Sequence, residues 1–128
     1  MNSNPYQKNK PLKAVFMGTP GFAAAHLEAL LHHPDLVTIE AVYTQPDRPR
    51  GRSRTPTPSE VKEVALAYQI PVFHAENFNS KEKLDQLKTF APDILIVVAF
   101  GMILPDSVLA IPSYGAINIH ASLLPKYR

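Results

Sequence analysis

Lys13-Ala-Val-Phe-Met-Gly-Thr-Pro-Gly-Phe22 passes from an apolar, β-rich run through glycine and proline into a segment with a different pattern. In residues 22–33 the apolar side chains Ala23, Leu27, Leu30 and Leu31 recur at helical spacing, so the stretch reads as strand, tight turn and helix. The alternation then continues. Residues 38–44 alternate and β-branch as a second strand, and residues 48–57 form a loop. Thr57-Pro-Ser-Glu60 supplies a capping residue, a proline at the first helical position and a glutamate three on, ahead of the stripe Val61, Val64, Ala65 and Tyr68. A short strand at 71–74 and a helix over 80–90, with Leu84 and Leu87 facing in, precede the unbroken run Ile94-Leu-Ile-Val-Val-Ala99. Strands covered on both faces read this way, which places 94–99 centrally in a sheet. Strands alternating with helices of this length require right-handed crossovers, so the expected class is α/β: a Rossmann-like, doubly wound, mainly parallel sheet with flanking helices.

At 128 residues the chain can bury one core, removing roughly two thirds of its unfolded surface from water. Cysteine is absent, which excludes disulfides, thiolate metal sites and a cysteine nucleophile. The longest apolar run, 94–99, is too short to span a bilayer, and the first dozen residues lack the apolar core of a secretion signal, so a soluble cytoplasmic protein is expected. The net charge of +2 is local in origin: Arg48, Arg50, Arg52 and Arg54 are four of five arginines, and without those four charges +2 becomes −2. Residues 1–12 read as a polar, flexible extension and 13–128 as one domain.

Chemistry concentrates near the end of the chain. Ala116-Ile-Asn-Ile-His120 reads as a buried strand on which Asn118 and His120 point one way while Ile117 and Ile119 pack the other. Ser122-Leu-Leu-Pro125 follows as an apolar loop at the carboxyl end, where open α/β sheets bind ligands. An amide that donates to an oxyanion, beside an imidazole that exchanges a proton, suits acyl transfer to an amine. A carboxylate normally orients such a histidine. Asp93 and Asp106 carry no motif that marks them for the role, and the partner is expected beyond Arg128. Phe100-Gly-Met-Ile-Leu-Pro105 has two readings, a slot for a flat heteroaromatic ligand or plain core packing with a proline turn. Gly18-Thr-Pro-Gly21 misses the dinucleotide-binding glycine spacing, and Pro20 removes an amide hydrogen, which favours a structural turn. His26, His32, His33 and His74 form no metal-ligand spacing, so no metal is expected. The arginine loop is either a solvated surface loop or an RNA-binding segment.

Four stretches together resemble methionyl-tRNA formyltransferases, within the folate-dependent formyltransferase family: Val15-Phe-Met-Gly-Thr-Pro-Gly-Phe-Ala23, Thr44-Gln-Pro-Asp-Arg-Pro-Arg-Gly-Arg52, Val98-Ala-Phe-Gly-Met-Ile-Leu-Pro105 and Ile117-Asn-Ile-His-Ala-Ser-Leu-Leu-Pro-Lys-Tyr-Arg128. The last is shared by family members acting on other amines, while the Gln-Pro-Asp-Arg-Pro segment with its basic loop points to the tRNA enzymes. The resemblance implies formyl transfer from 10-formyltetrahydrofolate to the amino group of methionyl initiator tRNA, without a metal. It implies that Asn118 holds the formyl oxygen and that His120 acts in proton transfer and oxyanion stabilisation. Ser122, Leu123, Leu124 and Pro125 then contact the folate. Phe100, Gly101, Met102, Ile103 and Leu104 shape the pteridine slot, and Arg50, Arg52 and Arg54 meet the tRNA. Ala121 stands where members usually carry glycine, and Gly21 where an acidic residue is common. Family chains are more than twice as long, with the catalytic aspartate and a carboxyl-terminal tRNA-binding domain in the part that has no counterpart here. The expectation is therefore an amino-terminal portion of the enzyme with little activity alone. Two alternatives remain at this level, a formyltransferase for a nucleotide sugar or purine intermediate and a non-catalytic RNA-binding module.

Overall fold

The computed structural model describes residues 10–18, 21–46, 48–49, 56–57, 59–75, 77–98, 100 and 104–119. Among them the chain forms β1 (Leu12–Gly18), α1 (Gly21–Leu31), β2 (Val37–Thr44), the two-residue strands β3 (Arg48–Pro49) and β4 (Pro56–Thr57), α2 (Glu60–Ala67), β5 (Val72–His74), α3 (Lys81–Thr89), β6 (Ile94–Val98), α4 (Asp106–Leu109) and β7 (Ala116–Ile119). Five strands make one parallel sheet in the order β5-β2-β1-β6-β7. The doubly wound expectation is met, with β1 rather than β6 in the middle; β6 is the interior strand beside it.

Both faces of the sheet are covered, each by its own core. Ala14, Phe16, Val42, Ile96 and Val98 meet Ala23 and Leu27 of α1 and Val61 and Ala65 of α2 on one side. Val15, Met17, Ala41, Tyr43, Leu95 and Val97 meet Phe78, Leu87 of α3 and Val108 of α4 on the other. An aromatic chain runs through this second core: Tyr43 lies 5.4 Å from both Phe73 and Phe78 by ring centroids, and Phe73 lies 5.6 Å from Phe90. The Tyr43 hydroxyl donates to Gln86 Oε1 at 2.9 Å, which satisfies the one polar atom that this ring takes into the core.

Strands β1 and β6 reach both cores by simple alternation, whereas β2 changes phase. Ala14 pairs with Ile39 but Val15 pairs with Ala41, so Glu40 is an extra residue in the ladder. Ile39 therefore belongs to the first core and Ala41 to the second, although they stand two apart. An inserted residue exchanges the faces of everything after it.

Four local expectations are corrected. The cap of α2 is Ser59, whose hydroxyl accepts from Lys62 N at 3.1 Å, instead of Thr57 followed by a helical proline; Thr57 is engaged in β4. The 48–57 segment is not loop throughout, because β3 and β4 pair antiparallel at Arg48↔Thr57 and Pro49↔Pro56 and close its base. The short helix α4 was not expected; four residues are too few to show a period. Strand β7 is not buried: it is the edge of the described sheet, and Ile117 is 47% exposed. Alternating Ile117 and Ile119 read the same whether one face is covered or two.

Helices α2 and α3 end with Gln69 at φ 60 and Ala91 at φ 45, both left-handed. Ile70 N bonds Ala65 O at 2.9 Å and Gln69 N bonds Leu66 O at 3.1 Å, the paired bonds that close a helix without glycine. Gly18 has a stricter requirement. A Cβ there would lie 2.7 Å from both Ala23 Cβ and the Val98 carbonyl oxygen, so the end of β1, the end of β6 and the start of α1 converge on a site with no room for a methyl.

Two outcomes follow from these contacts. Gly18→Ala destabilises the fold by roughly 1–3 kcal/mol in urea unfolding, because the obstructing oxygen is backbone. Burial raises the Tyr43 phenol well above its ordinary value. Above about pH 10 the unfolded phenol ionises while the folded one keeps its proton, so folded protein binds more protons and stability falls as pH rises. That contribution is fully present at lower pH. Unfolding free energies at pH 8 and pH 11 show a smaller alkaline loss in Tyr43→Phe than in the parent, the difference approaching about 1.4 kcal/mol per pH unit.

Candidate active site

The carboxyl ends of all five strands form one rim, and the chain leaves β1 toward β2 on one side and toward β6 on the other. Such a reversal of strand order opens a crevice at the rim, because the connections on its two sides cross opposite faces of the sheet. Here the reversal lies between Gly18 of β1 and Val98 of β6, which are register partners.

Asn118 stands one strand further out. It pairs with Val97, a residue of the second core, while Ile119 pairs with Val98 and packs against the first. The pleat thus directs Asn118 to the α3–α4 side of the sheet, near its carboxyl end, and the residue is exposed. Its amide is open to solvent and to any ligand approaching from that side. The strand's described part ends at Ile119, one residue before His120.

Phe100 is 2% exposed and packs in the second core, and Leu104 packs against the same cluster. The core-packing reading of these two side chains therefore holds. What Phe100 offers the rim is its backbone: its carbonyl oxygen accepts from Gln45 Nε2 at 2.8 Å. Gln45 directly follows β2, and β2 and β6 flank β1 on opposite sides, so this bond passes over the end of the middle strand. Next to it, Thr44 Oγ1 lies 3.1 Å from Ser59 Oγ in a buried hydroxyl pair and also donates to Gln45 O at 3.2 Å. The first residue after β2 and the cap of α2 are thereby joined through Thr44.

Sequence reading missed Gln45, Thr44 and Ser59 as site residues. Gln45 stood inside a quoted motif, but the arginines beside it drew the interpretation, and no local pattern reveals a bond to a residue 55 positions away. Of the residues singled out from sequence, Asn118, Phe100 and Leu104 are described. Gly101, Met102, Ile103, His120, Ala121, Ser122, Leu123, Leu124, Pro125, Arg50, Arg52 and Arg54 lie outside the described residues.

Of the acidic candidates, Asp93 is not at the rim. Asp93 precedes β6 at the opposite edge, where its carboxylate accepts from Lys13 N at 2.8 Å and its own amide donates to Lys13 O at 2.7 Å. Asp106 opens α4. An open depression lined by Lys88, Ala91, Ser107, Ala110 and Ile111 lies beside the end of α3, away from Asn118 and Gln45. Among the described residues no three His, Cys, Asp or Glu side chains gather to hold a metal, and no helix is long and apolar enough to cross a membrane.

Residues 12–128 match the formyl transferase family. Over 116 residues the sequence is 51% identical to the methionyl-tRNA formyltransferase of Staphylococcus aureus strain Newman, a match covering 91% of this chain and 36% of that protein. The chain thus spans about a third of the length of the curated relatives it matches. Among solved structures, phosphoribosylglycinamide formyltransferase from Brucella melitensis superposes with a TM-score of 0.64 at 25% identity, covering 92% of this chain and 61% of that one. Glycinamide ribonucleotide transformylase 1 from Symbiobacterium toebii gives a TM-score of 0.66 at 15% identity, with 98% of this chain and 58% of that chain covered, a likeness of fold.

The hydroxyl pair makes a separable contribution to the rim. Ser59→Ala removes the α2 cap and the partner of Thr44, and lowers unfolding free energy by about 1–2 kcal/mol in denaturant titration, whereas Ser59→Asp, which restores a capping acceptor, recovers most of the loss.

Proposed function

The chain belongs to the formyl transferase family, and from that premise we propose that it carries the formyl-donor side of an enzyme that formylates methionyl initiator tRNA. The donor is 10-formyltetrahydrofolate, and the setting is translation initiation in the cytoplasm. The observation that carries this reading is the exposed Asn118 on β7, one strand out from the strand-order reversal of a sheet with an apolar core on each face. The choice of acceptor is supported by the 51% identity to a protein named for methionyl-tRNA.

In this reading the acceptor amine attacks the formyl carbon, a new C–N bond forms, the bond from that carbon to N10 of the folate breaks, and the proton lost by the amine ends on the folate nitrogen. Charge develops on the formyl oxygen midway. The Asn118 amide N–H is a fixed donor for that oxygen, and removal of one such donor typically slows reaction by about 10²–10³-fold. His120, two residues on in sequence, donates to the same oxygen and relays the proton. Phe100, Gly101, Met102, Ile103 and Leu104, with Ser122, Leu123, Leu124 and Pro125, bound the donor. Arg50, Arg52 and Arg54 meet phosphates of the acceptor end, giving a salt-dependent contribution to binding.

The test is a chimera in which residues 12–128 replace the matching segment of the Staphylococcus aureus enzyme. The chimera formylates methionyl initiator tRNA from 10-formyltetrahydrofolate, and Asn118→Ala lowers kcat by about 10²–10³-fold with little change in melting temperature. Charge reversal at Arg50, Arg52 and Arg54 raises the KM for tRNA and leaves the donor KM alone. A folded chimera that transfers no formyl group, or that turns over undiminished with Asn118→Ala, refutes the reading.

A further inference from the structure

We infer that Gln45 is a positioning residue for the formyl donor, tying the stem of the basic loop to the backbone that begins the donor slot. The inference rests on the reading just given and adds a residue that the sequence motifs left without a task. The Gln45 Nε2–Phe100 O bond is 2.8 Å long and partly buried. It also joins segments that are not neighbours in the sheet: Gln45 follows β2 and Phe100 follows β6, and β1 lies between those two strands. Neither end is loose. On the Gln45 side, Thr44 is fully buried, its hydroxyl holds both Ser59 Oγ and the Gln45 carbonyl, and Ala75 N donates to Thr44 O at 3.0 Å. On the Phe100 side, the ring is locked in the second core.

Two anchored ends joined by one amide fix the height of the Phe100 backbone over the rim. Below the bond, Gly18 leaves no side chain to do this from β1, and a methyl there would strike Val98 O. The rim at the reversal is therefore shaped from above by Gln45. Removing the amide frees the Phe100 backbone to sample positions in which the donor's flat ring is not accommodated. If about one tenth of the population stays competent, apparent donor affinity falls about tenfold. The acceptor, bound elsewhere, is unaffected.

Gln45→Ala and Gln45→Glu in the chimera test this through the separate KM values for donor and acceptor. Alanine deletes the bond, and glutamate keeps the length but places a carboxylate, which cannot donate, against a carbonyl. Both raise the donor KM about tenfold while kcat and the tRNA KM stay within about twofold and the melting temperature shifts by a few degrees at most. An unchanged donor KM in either folded variant, or equal increases in both KM values, overturns the assignment. A parent chimera that fails to formylate tRNA sinks the functional reading itself, whereas an active parent with indifferent Gln45 variants sinks only the positioning role.

Discussion

One extra residue in β2, at Glu40, sets which way the carboxyl end of that strand faces. Before it, Val37 and Ile39 look toward the first core; after it, Ala41 and Tyr43 look toward the second and Val42 toward the first. A regular ladder would have sent Tyr43 against α1 and α2, whose core is built from small residues such as Ala23, Ala24 and Ala65. With the insertion, Tyr43 instead joins Phe73 and Phe78. Thr44 turns to the α2 side, where Ser59 caps the helix. Gln45 then leaves the sheet at the height from which it reaches Phe100. The polar architecture of the rim therefore depends on a bulge whose driving force is apolar: a tyrosine ring fits one core and not the other.

The strands and helices were largely legible because each carries a burial pattern of its own. The runs 14–17 and 94–98 are apolar without interruption, and both belong to strands with cores on both faces. The bulge was not legible. Glu40 sits where a regular strand would also put an outward polar residue, and only the partner's register reveals that it is extra. The α2 start reads from sequence as capped by Thr57, whereas the cap lies two residues on, at Ser59. Ser59 prevails because its hydroxyl meets Thr44 as well as Lys62 N, and Thr57 is drawn into the ladder with Arg48. Local sequence cannot rank candidates that tertiary contacts decide.

For the site the limit is different in kind. Asn118 was found from its position on a strand, a property of period two that needs no tertiary knowledge. Its solvent exposure was missed, since Ala116 to Ile119 reads as interior while the strand is the edge of the described sheet. Gln45 was overlooked for the converse reason: its significance lies wholly in a partner that sequence does not supply.

Exposure also sorts the rim's polar groups by role. Thr44 and Ser59 are buried and spend their hydrogen-bonding capacity on each other, on a backbone carbonyl and on a helix amide. Groups satisfied in this way are rigid and have little left for a ligand. Asn118 is exposed, so in the proposed reading its amide exchanges water for the formyl oxygen without leaving a buried partner orphaned. A donor of this kind stabilises charge only if the frame behind it does not yield when that charge appears. The parallel pairing of β7 to β6, β6 to β1, and the packing of both faces supply that stiffness. The buried hydroxyls and the Gln45 bond extend it from the strands to the connections, where an α/β sheet has no ladder of its own.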